Sequence, residues 1–318
     1  MNFKASEYLS GFIGGNLFID ENDDFESEWE EAYATLQLTE EFSVRGGRFL
    51  NRFGINNHKH LHTWDFVNSH LSTSIFLGEE SLRTDGLEFN WIDEGLEWSK
   101  GLSVAYGSGV EHGHGEEEEE EEHGHGAENA YLMDDIITSR AFIGYRKDDF
   151  YSHQFGVNYA TGENGYERDT DIWSFDYQLK WRENGLENGG KEWAVIVEYM
   201  IRDVEWLHDE NPANQGNTSE NVFAISGLYQ WNENWQASLR YEDVQGAQAG
   251  PEDDMGEIEF AFESPERQRV SAAVTRFFDL GSSFTGICRL QYNHDQLEDG
   301  DKEDSVFLQV GFDFGSEG

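Results

Sequence analysis

Apolar and polar side chains alternate most strictly between residues 222 and 241. On both sides of an Asn-Glu-Asn turn at 232–234, every second side chain is apolar or small, and this face is strongly aromatic. One apolar and one polar face with a period of two residues is typical of a β-hairpin. The pattern therefore predicts two antiparallel strands that present an aromatic face on one side of their sheet.

The same alternation recurs along the chain and predicts about fourteen strands. Those strands fall roughly at 9–19, 31–39, 42–50, 85–93, 99–108, 137–147, 150–161, 170–182, 191–204, 220–231, 234–244, 267–278, 283–294 and 303–314. Mostly short connections follow the even-numbered strands, and mostly longer ones follow the odd-numbered strands. Short turns at one end and long loops at the other are typical of up-and-down barrels in outer membranes. We therefore predict an all-β fold: a single domain over 1–318 that forms an antiparallel up-and-down transmembrane β-barrel of about 14 strands, within a range of about 12–16.

The composition narrows the function. The 318 residues include 65 acidic and 21 basic ones, which gives a formal net charge of −44. Nucleic acid is not expected as a partner, because phosphate binding needs a basic surface. The chain has no run of about 18 apolar residues that would form a transmembrane helix, but a transmembrane strand needs only about 9–11 alternating residues. The first four residues lack the apolar core of a signal peptide, so we expect a mature or trimmed form of an outer-membrane protein.

A soluble or salt-adapted acidic β-barrel, binding metal without channel activity, is the alternative interpretation. Its aromatic faces would then pack against each other as a core between sheets. The acidic excess favours this alternative, whereas Trp and Tyr near the strand ends favour the interfacial girdles of a membrane barrel. We prefer the membrane barrel, because outward aromatic ladders on a soluble monomer would cause aggregation.

Charged side chains occupy the polar faces of several strands, which a barrel of this kind turns toward its lumen. These pore-lining candidates are Arg45, Arg140, Arg146, Lys180, Arg182, Arg202, Arg240, Arg289, Glu88, Asp176, Glu198, Glu242 and Asp313. Charged rings in a lumen tune ion selectivity. Alternatively, the charges pair across strands and hold the wall in register. The sequence leaves both interpretations open.

Residues 51–84 form the first long connection, and they are too apolar for a solvated loop. A segment of this length without a strand pattern is usually functional or folded on its own, so we expect it to fold inward, or across the mouth, and to narrow the pore. His58, His60 and His62 alternate and would project to one side of an extended backbone, where His70 or Asp65 would help to complete a metal site. The other interpretation is packing and hydrogen bonding within the folded loop.

A second long connection, residues 109–136, contains a low-complexity run rich in His and Glu. The candidate metal ligands in it are His112, His114, Glu116, Glu122, His123 and His125. Imidazole suits zinc, copper or nickel, and carboxylates add negative charge. We expect this loop to bind zinc or another divalent cation weakly, with no cofactor required by the fold. The alternative is an acidic, solvated loop without a specific role.

Several short stretches carry a resemblance to known outer-membrane proteins. They are residues 47–49 with 53–54, 60–66, 76–80, 292–295 and 305–309. The first resembles the strand-to-loop passage of phosphate-selective-porin-like outer-membrane proteins, and the others resemble a group of zinc-regulated outer-membrane barrel proteins of Gram-negative bacteria. The resemblance spans most of the chain, and it implies a porin-like barrel in the cell outer membrane with a link to metal homeostasis. The sequence departs from the phosphate-selective pattern, because it lacks a lysine-rich constriction.

These observations predict a weakly selective, porin-like outer-membrane channel that collects or passes divalent metal ions such as zinc. Its expected partners are outer-membrane lipid and small ions or solutes. We do not expect an enzyme, because the sequence contains no nucleophile elbow, metalloprotease helix motif or phosphate-binding loop.

Overall fold

The regular structure of the chain is almost entirely β. The computed structural model describes residues 2–19, 25–59, 63–78, 81–110, 128–187, 189–208, 214–250, 262–281 and 284–314. Its strands are β1 (Asn2–Lys4), β2 (Leu9–Ile19), β3 (Phe25–Gln37), β4 (Phe42–Leu50), β5 (Arg83–Glu94), β6 (Trp98–Gly109), β7 (Leu132–Arg146), β8 (Tyr151–Asn164), β9 (Asp169–Arg182), β10 (Glu192–Leu207), β11 (Gln215–Asn232), β12 (Trp235–Gln245), β13 (Ala247–Ala249), β14 (Phe262–Ser264), β15 (Arg267–Gly281), β16 (Phe284–Leu297) and β17 (Lys302–Phe314). A short helix, α1 (Leu71–Phe76), and a 3₁₀ turn, Glu128–Ala130, lie in the connections. No helix in the described ranges is long and apolar enough to cross a membrane.

Consecutive strands pair antiparallel in one sheet, which runs from β1 to β12 and continues through β15, β16 and β17. Over the described part of the chain, fourteen of these strands have nine or more residues, as the alternation predicted. The remaining pair, β13 and β14, forms a separate small hairpin in the connection between β12 and β15. Short turns lie at one end of the sheet, and the connection between β4 and β5 lies at the other.

The sheet curls into a barrel around the connection between β4 and β5. Arg140 on β7 donates a 2.8 Å hydrogen bond to the carbonyl of Gly54 in this connection. Arg289 on β16 donates to the carbonyl of Phe66 at 3.2 Å. Because strands far apart in the sheet contact one connecting segment, the sheet surrounds that segment. The predicted all-β barrel and the inward fold of its first long loop are confirmed.

The exterior of the barrel is apolar. Leu239 on β12 is 64% exposed and Leu308 on β17 is 69% exposed, whereas Ser238 beside Leu239 is buried. Aromatic rings cluster near the short-turn end, for example Trp98 and Tyr145, whose ring centroids are 4.6 Å apart. An apolar band with aromatic rings near its edge is the surface that a transmembrane barrel presents to lipid.

A row of glycines crosses the wall near the point where the connection enters the lumen. Gly47 on β4, Gly86 on β5 and Gly107 on β6 are register neighbours across three strands. A Cβ atom on Gly86 would lie 2.1 Å from the carbonyl oxygen of Tyr106, and Gly47 has a φ of +127°. Because only glycine permits such close approach of backbones, a larger side chain at these positions would separate the strands.

Several strand ends differ from their predicted positions by three to six residues, among them the start of β3, which lies at Phe25 instead of 31. β7 begins at Leu132 instead of 137, β10 extends to Leu207 and β11 begins at Gln215. In β7 the pairing with β8 shifts register twice, and Asp135 has a φ of +47°, so the regular alternation is broken there. The first residues of β11 are polar on both faces, and a strand without apolar alternation gives no periodic signal.

Candidate functional site: a plugged barrel lumen

The connection over residues 51–82 is called the plug, because its described residues, 51–59, 63–78 and 81–82, lie in the lumen. In its described residues, Phe53, Leu71 and Phe76 are buried in one apolar cluster with inward side chains of the barrel. The wall contributes residues such as Ile172 on β9 and Met200 on β10 to that cluster. The sequence of this segment is too apolar for a solvated loop, and its apolar residues form the core between plug and wall.

Asn57 fastens the two ends of the plug together. Its side-chain amide donates to the carbonyls of Asn51, at 2.8 Å, and Leu82, at 3.0 Å. Its side-chain oxygen accepts a 2.7 Å hydrogen bond from the backbone N–H of Leu82. Asn57 is buried, so these bonds are shielded from water. The plug is therefore a closed loop with its own internal structure.

Arginines of the wall hold the plug through its backbone. Besides Arg140 and Arg289, Arg202 on β10 donates to the carbonyl of Ile75 at 2.8 Å, and Arg240 on β12 donates to that of Ser69 at 3.1 Å. The guanidinium of Arg240 also lies 4.5 Å from the ring centroid of Phe66. Hydrogen bonds from a charged donor are stronger than neutral ones, and the guanidinium face attracts an aromatic ring. The plug is thus attached at several points around the barrel.

Most of these arginines also pair with carboxylates of the wall. The N–O distances are 2.9 Å for Arg45–Glu88, 3.0 Å for Arg140–Asp176, 2.6 Å for Arg202–Glu220 and 2.9 Å for Arg240–Glu242. All eight of these side chains are buried. A buried charge needs a partner, because transfer from water to a medium of low polarity is unfavourable. In this part of the lumen the structure pairs the charges across the wall, which is the second of the two alternatives left by the sequence.

Glu198 on β10 differs from the other carboxylates of the lumen. It is 2% exposed, and no ion pair joins it to a cationic side chain among the described residues. Its oxygens instead accept longer contacts from the plug, 3.3 Å from the backbone N–H of Ile55 and 3.4 Å from the hydroxyl of Ser72. Gly54, with a φ of +60°, packs against it so closely that a Cβ atom would lie 2.3 Å from Oε1 of Glu198. Glu198 therefore contacts the plug twice, near its start at Ile55 and in helix α1 at Ser72.

The remaining predicted pore-lining residues lie at the short-turn end, where the lumen is more open. Lys180 lines a cavity of about 120 Å³ with Lys59 and Asp65 of the plug. Arg146 lines a neighbouring cavity of about 410 Å³. Arg182 is exposed and pairs with Glu192 at 2.7 Å. These residues face water-accessible space, unlike the buried arginines above them.

The plug places two basic residues, His58 and Lys59, near this end of the lumen. Burial, with a contribution from Lys180, lowers the pKa of the Lys59 ammonium. Burial and the neighbouring charge of Lys59 lower the pKa of His58 to about 4. The His58 ring keeps contact with solvent although plug and wall surround it. At neutral pH its imidazole is therefore uncharged.

Of the predicted metal ligands, His58 alone lies in the described part of the chain, where no group of three His, Cys, Asp or Glu side chains has the arrangement of a metal site. His70 lies beside Glu242, with 3.3 Å between Nδ1 and Oε1, and burial lowers its pKa. Asp65 instead accepts a hydrogen bond from Gln236. The other candidates, His60, His62, His112, His114, Glu116, Glu122, His123 and His125, lie outside the described residues.

A second apolar cluster lies at the long-loop end. Phe262 of the β13–β14 hairpin is fully buried, and it packs with Val204, Trp206, Tyr166 and Ala130. The predicted strands did not include Trp206, Tyr166 and Ala130, which lie at a strand end or in connections. Folded structure at this end of the barrel therefore extends beyond the predicted strands.

Sequence reasoning missed several residues of the lumen. Glu220, the partner of Arg202, lies at the predicted start of its strand, where the inward and outward faces were not yet distinguished. Asn57 has no periodic signal, because its partners are the distant ends of one loop. The inward position of Asp295, which pairs with Arg269 at 2.8 Å, follows from the alternation once β16 is extended to Leu297.

Several solved structures of outer-membrane proteins have a similar fold. DcaP, an outer-membrane channel of Acinetobacter baumannii, aligns with a TM-score of 0.58 and 12% identity, over 98% of this chain and 82% of that one. OmpT of Vibrio cholerae with loop L8 deleted gives 0.53 and 11%, over 98% and 88%. An anion-selective porin from Comamonas acidovorans gives 0.52 and 10%, over 98% and 86%. The fold is that of the outer-membrane porins, as the resemblance implied.

Sequence comparison adds little to this. No protein-family model matches the chain. An uncharacterized protein of Aquifex aeolicus is 44% identical over 64 residues, which are 20% of this chain and 13% of that protein. The phosphate-related and zinc-related parts of the resemblance stay predictions.

Proposed function

We propose that the protein is a porin-type channel of the outer membrane whose pore is narrowed by the plug. The observation that carries this proposal is a folded segment inside a porin-like barrel, with cavities at its short-turn side. Solutes would pass beside the plug, where Lys59 and Lys180 face the same space. The apolar exterior supports a location in lipid.

Conductance in planar bilayers tests the channel and the role of the plug separately. Leu50 and Arg83 are register partners, so a short Gly-rich turn can replace residues 51–82 without changing the pairing of β4 and β5. We expect a small conductance for the intact chain and a severalfold larger one for this variant. Deletion of 111–126, another long-loop segment, is the matched control and should leave the conductance of single channels nearly unchanged. Equal conductance with and without the plug would refute the narrowing, and no conductance from either folded form would refute the channel.

We also propose that the channel is weakly selective and that divalent cations such as zinc are collected at its mouth. Paired arginines and carboxylates in the lumen support weak selectivity, because opposite charges at ion-pair distance cancel at longer range. The alternation of His and Glu runs between 111 and 126 supports metal collection. Calorimetric titration with zinc should show saturable binding that disappears on deletion of 111–126. Binding that persists in the deletion variant would assign the metal to another part of the chain.

A further inference from the structure

One face of the lumen contacts the backbone of the plug residue by residue. Along residues 65–71, the N–H of Val67 donates to Oε1 of Gln291 at 2.6 Å, and the N–H of Leu71 donates to Oε1 of Glu242 at 2.7 Å. The carbonyl of Asn68 accepts from Arg240 at 3.3 Å. With the carbonyls of Phe66 and Ser69, five backbone groups in six residues are bound by side chains of β12 and β16.

These wall side chains are held by the barrel as well as by the plug. Glu242, Gln291 and Arg289 are buried and project from paired strands, so their positions are set by the barrel. Arg240 is further held by Glu242 and by the hydroxyl of Ser271 at 3.1 Å. Donors and acceptors that are held in place by the wall can bind a peptide backbone with less loss of entropy than mobile ones.

The chemistry of this wall is directed at backbone. Arginines face carbonyl oxygens, and a Gln and a Glu oxygen face N–H groups, as in peptide sites where main-chain hydrogen bonds supply the affinity. Arg289 has no carboxylate ion-pair partner among the described residues, so the carbonyl of Phe66 is an important acceptor for its charge. If the plug segment leaves, these buried groups lose their partners, which is unfavourable unless another chain or water replaces it.

We propose that the β12–β15–β16 face of the lumen is a binding site for short peptide segments, and that residues 65–71 occupy it in the resting protein. The substrate class that follows is a short peptide recognised mainly through its backbone. An aromatic side chain in it would lie on the guanidinium of Arg240, as Phe66 does at 4.5 Å. This inference rests on the proposed channel for its physiological meaning, but the binding itself does not require transport.

The test loosens the resident segment and offers a peptide in its place. Phe66→Ala with Asn68→Ala removes the ring at Arg240 and the side-chain oxygen that Arg240 and Gln291 hold at 2.9 and 2.6 Å. The wall itself is unchanged. Fluorescence anisotropy in detergent then measures binding of a labelled synthetic peptide of residues 63–71. We expect saturable binding to this variant and at least about tenfold weaker binding to the intact chain, in which the resident segment competes.

Two further peptides separate backbone recognition from simple hydrophobic binding. A peptide N-methylated at the positions of Val67 and Leu71 lacks two N–H donors and should bind about tenfold more weakly or worse. An unrelated peptide with an aromatic residue at the same position should bind within about tenfold of the parent, because the backbone contacts are retained. Gln291→Ala in the loosened variant should weaken all of the binding.

Heat-modifiable migration in gels confirms that the variant is a folded barrel. If the double variant does not fold, Asn68→Ala alone carries the same titrations. Absence of peptide binding by a folded variant, equal binding of the N-methylated peptide, or rejection of the unrelated peptide would each overturn the proposal. If the peptide does not bind but the conductance is normal, the peptide site is refuted and the proposed channel stands. If the peptide binds but the protein shows no conductance, only the proposed channel is refuted.

Discussion

Arg140→Met is the sharpest test of how charge is accommodated in this lumen. Arg140 is 5% exposed and Asp176 is 1% exposed, with 3.0 Å between Nη2 and Oδ1. Removal of one member of a buried pair leaves an uncompensated charge and costs about 3–5 kcal/mol. The carbonyl of Gly54 also loses its donor, which places the expected loss in the upper half of that range.

The measurement is urea unfolding of the protein in phospholipid vesicles, followed by tryptophan fluorescence. Arg182→Met is the matched control, because Arg182 and Glu192 form a pair of similar length, 2.7 Å, with side chains 46% and 36% exposed. Water screens such a pair, so its loss should change the free energy of unfolding by at most about 1 kcal/mol. Both variants remove one member of an ion pair, so the difference between their losses of stability reports the effect of burial.

A second variant distinguishes the unpaired charge from the lost plug contact. Arg140→Met with Asp176→Asn removes both charges, and Asn158, whose amide donates to Asp176 at 2.9 Å, can still donate to the side chain at 176. We expect this double variant to recover most of the stability lost in Arg140→Met. Equal loss in the single and double variants, or a loss below about 1 kcal/mol in the single one, would refute the reasoning.

Three further outcomes are expected. Gly54→Ala should destabilise the protein by about 1–3 kcal/mol and raise its conductance, because φ is +60° and the new Cβ would contact Glu198. The control Gly227→Ala, on the open outer face, should have no effect in the same unfolding and bilayer assays. Protonation of His58 should lower the free energy of unfolding as the pH falls from about 6.5 toward 4, because the pKa of His58 is lower in the folded than in the unfolded state. The difference between the free energies of unfolding at pH 7 and pH 4.5 should therefore be smaller in His58→Gln. An unchanged difference would mean that another group titrates. Cation preference, measured as a reversal potential, should fall between about 0.05 M and 1 M salt if the acidic loops cause it, and a preference independent of salt would locate it at the plug.

The barrel is largely predictable from the sequence, because lipid and lumen impose opposite requirements on alternate residues. β12, with Leu239 and Tyr241 exposed and Ser238 and Arg240 buried, illustrates this contrast. Where a strand projects beyond the lipid, as at the start of β11 at Gln215, the contrast is absent and the boundary is missed. The alternation therefore reports the membrane-facing part of each strand rather than the full length of the hydrogen-bonded ladder.

The interior is less predictable, because its contacts join residues far apart in sequence. Arg45 and Glu88 are direct register partners on β4 and β5, so correct hairpin pairing gives their contact. Arg140 and Asp176 lie on strands separated by β8, and their contact needs the curvature of the wall. The plug has no periodicity at all, and the sequence indicates only that its apolar residues must be buried.

The distribution of charge separates two steps in the proposed passage of ions. Pairs such as Arg202–Glu220 and Arg240–Glu242 cancel within the lumen, so they leave almost none of the net charge of −44 there. The acidic excess therefore belongs mainly to surfaces that water and salt can screen, where it acts over about 10 Å at 0.1 M salt. Capture of cations by this excess depends on ionic strength, whereas movement past Lys59 and Lys180 depends on short-range contacts and on the size of the gap. A substitution in the loops should consequently alter which ions arrive, and a substitution in the plug should alter how fast any ion passes.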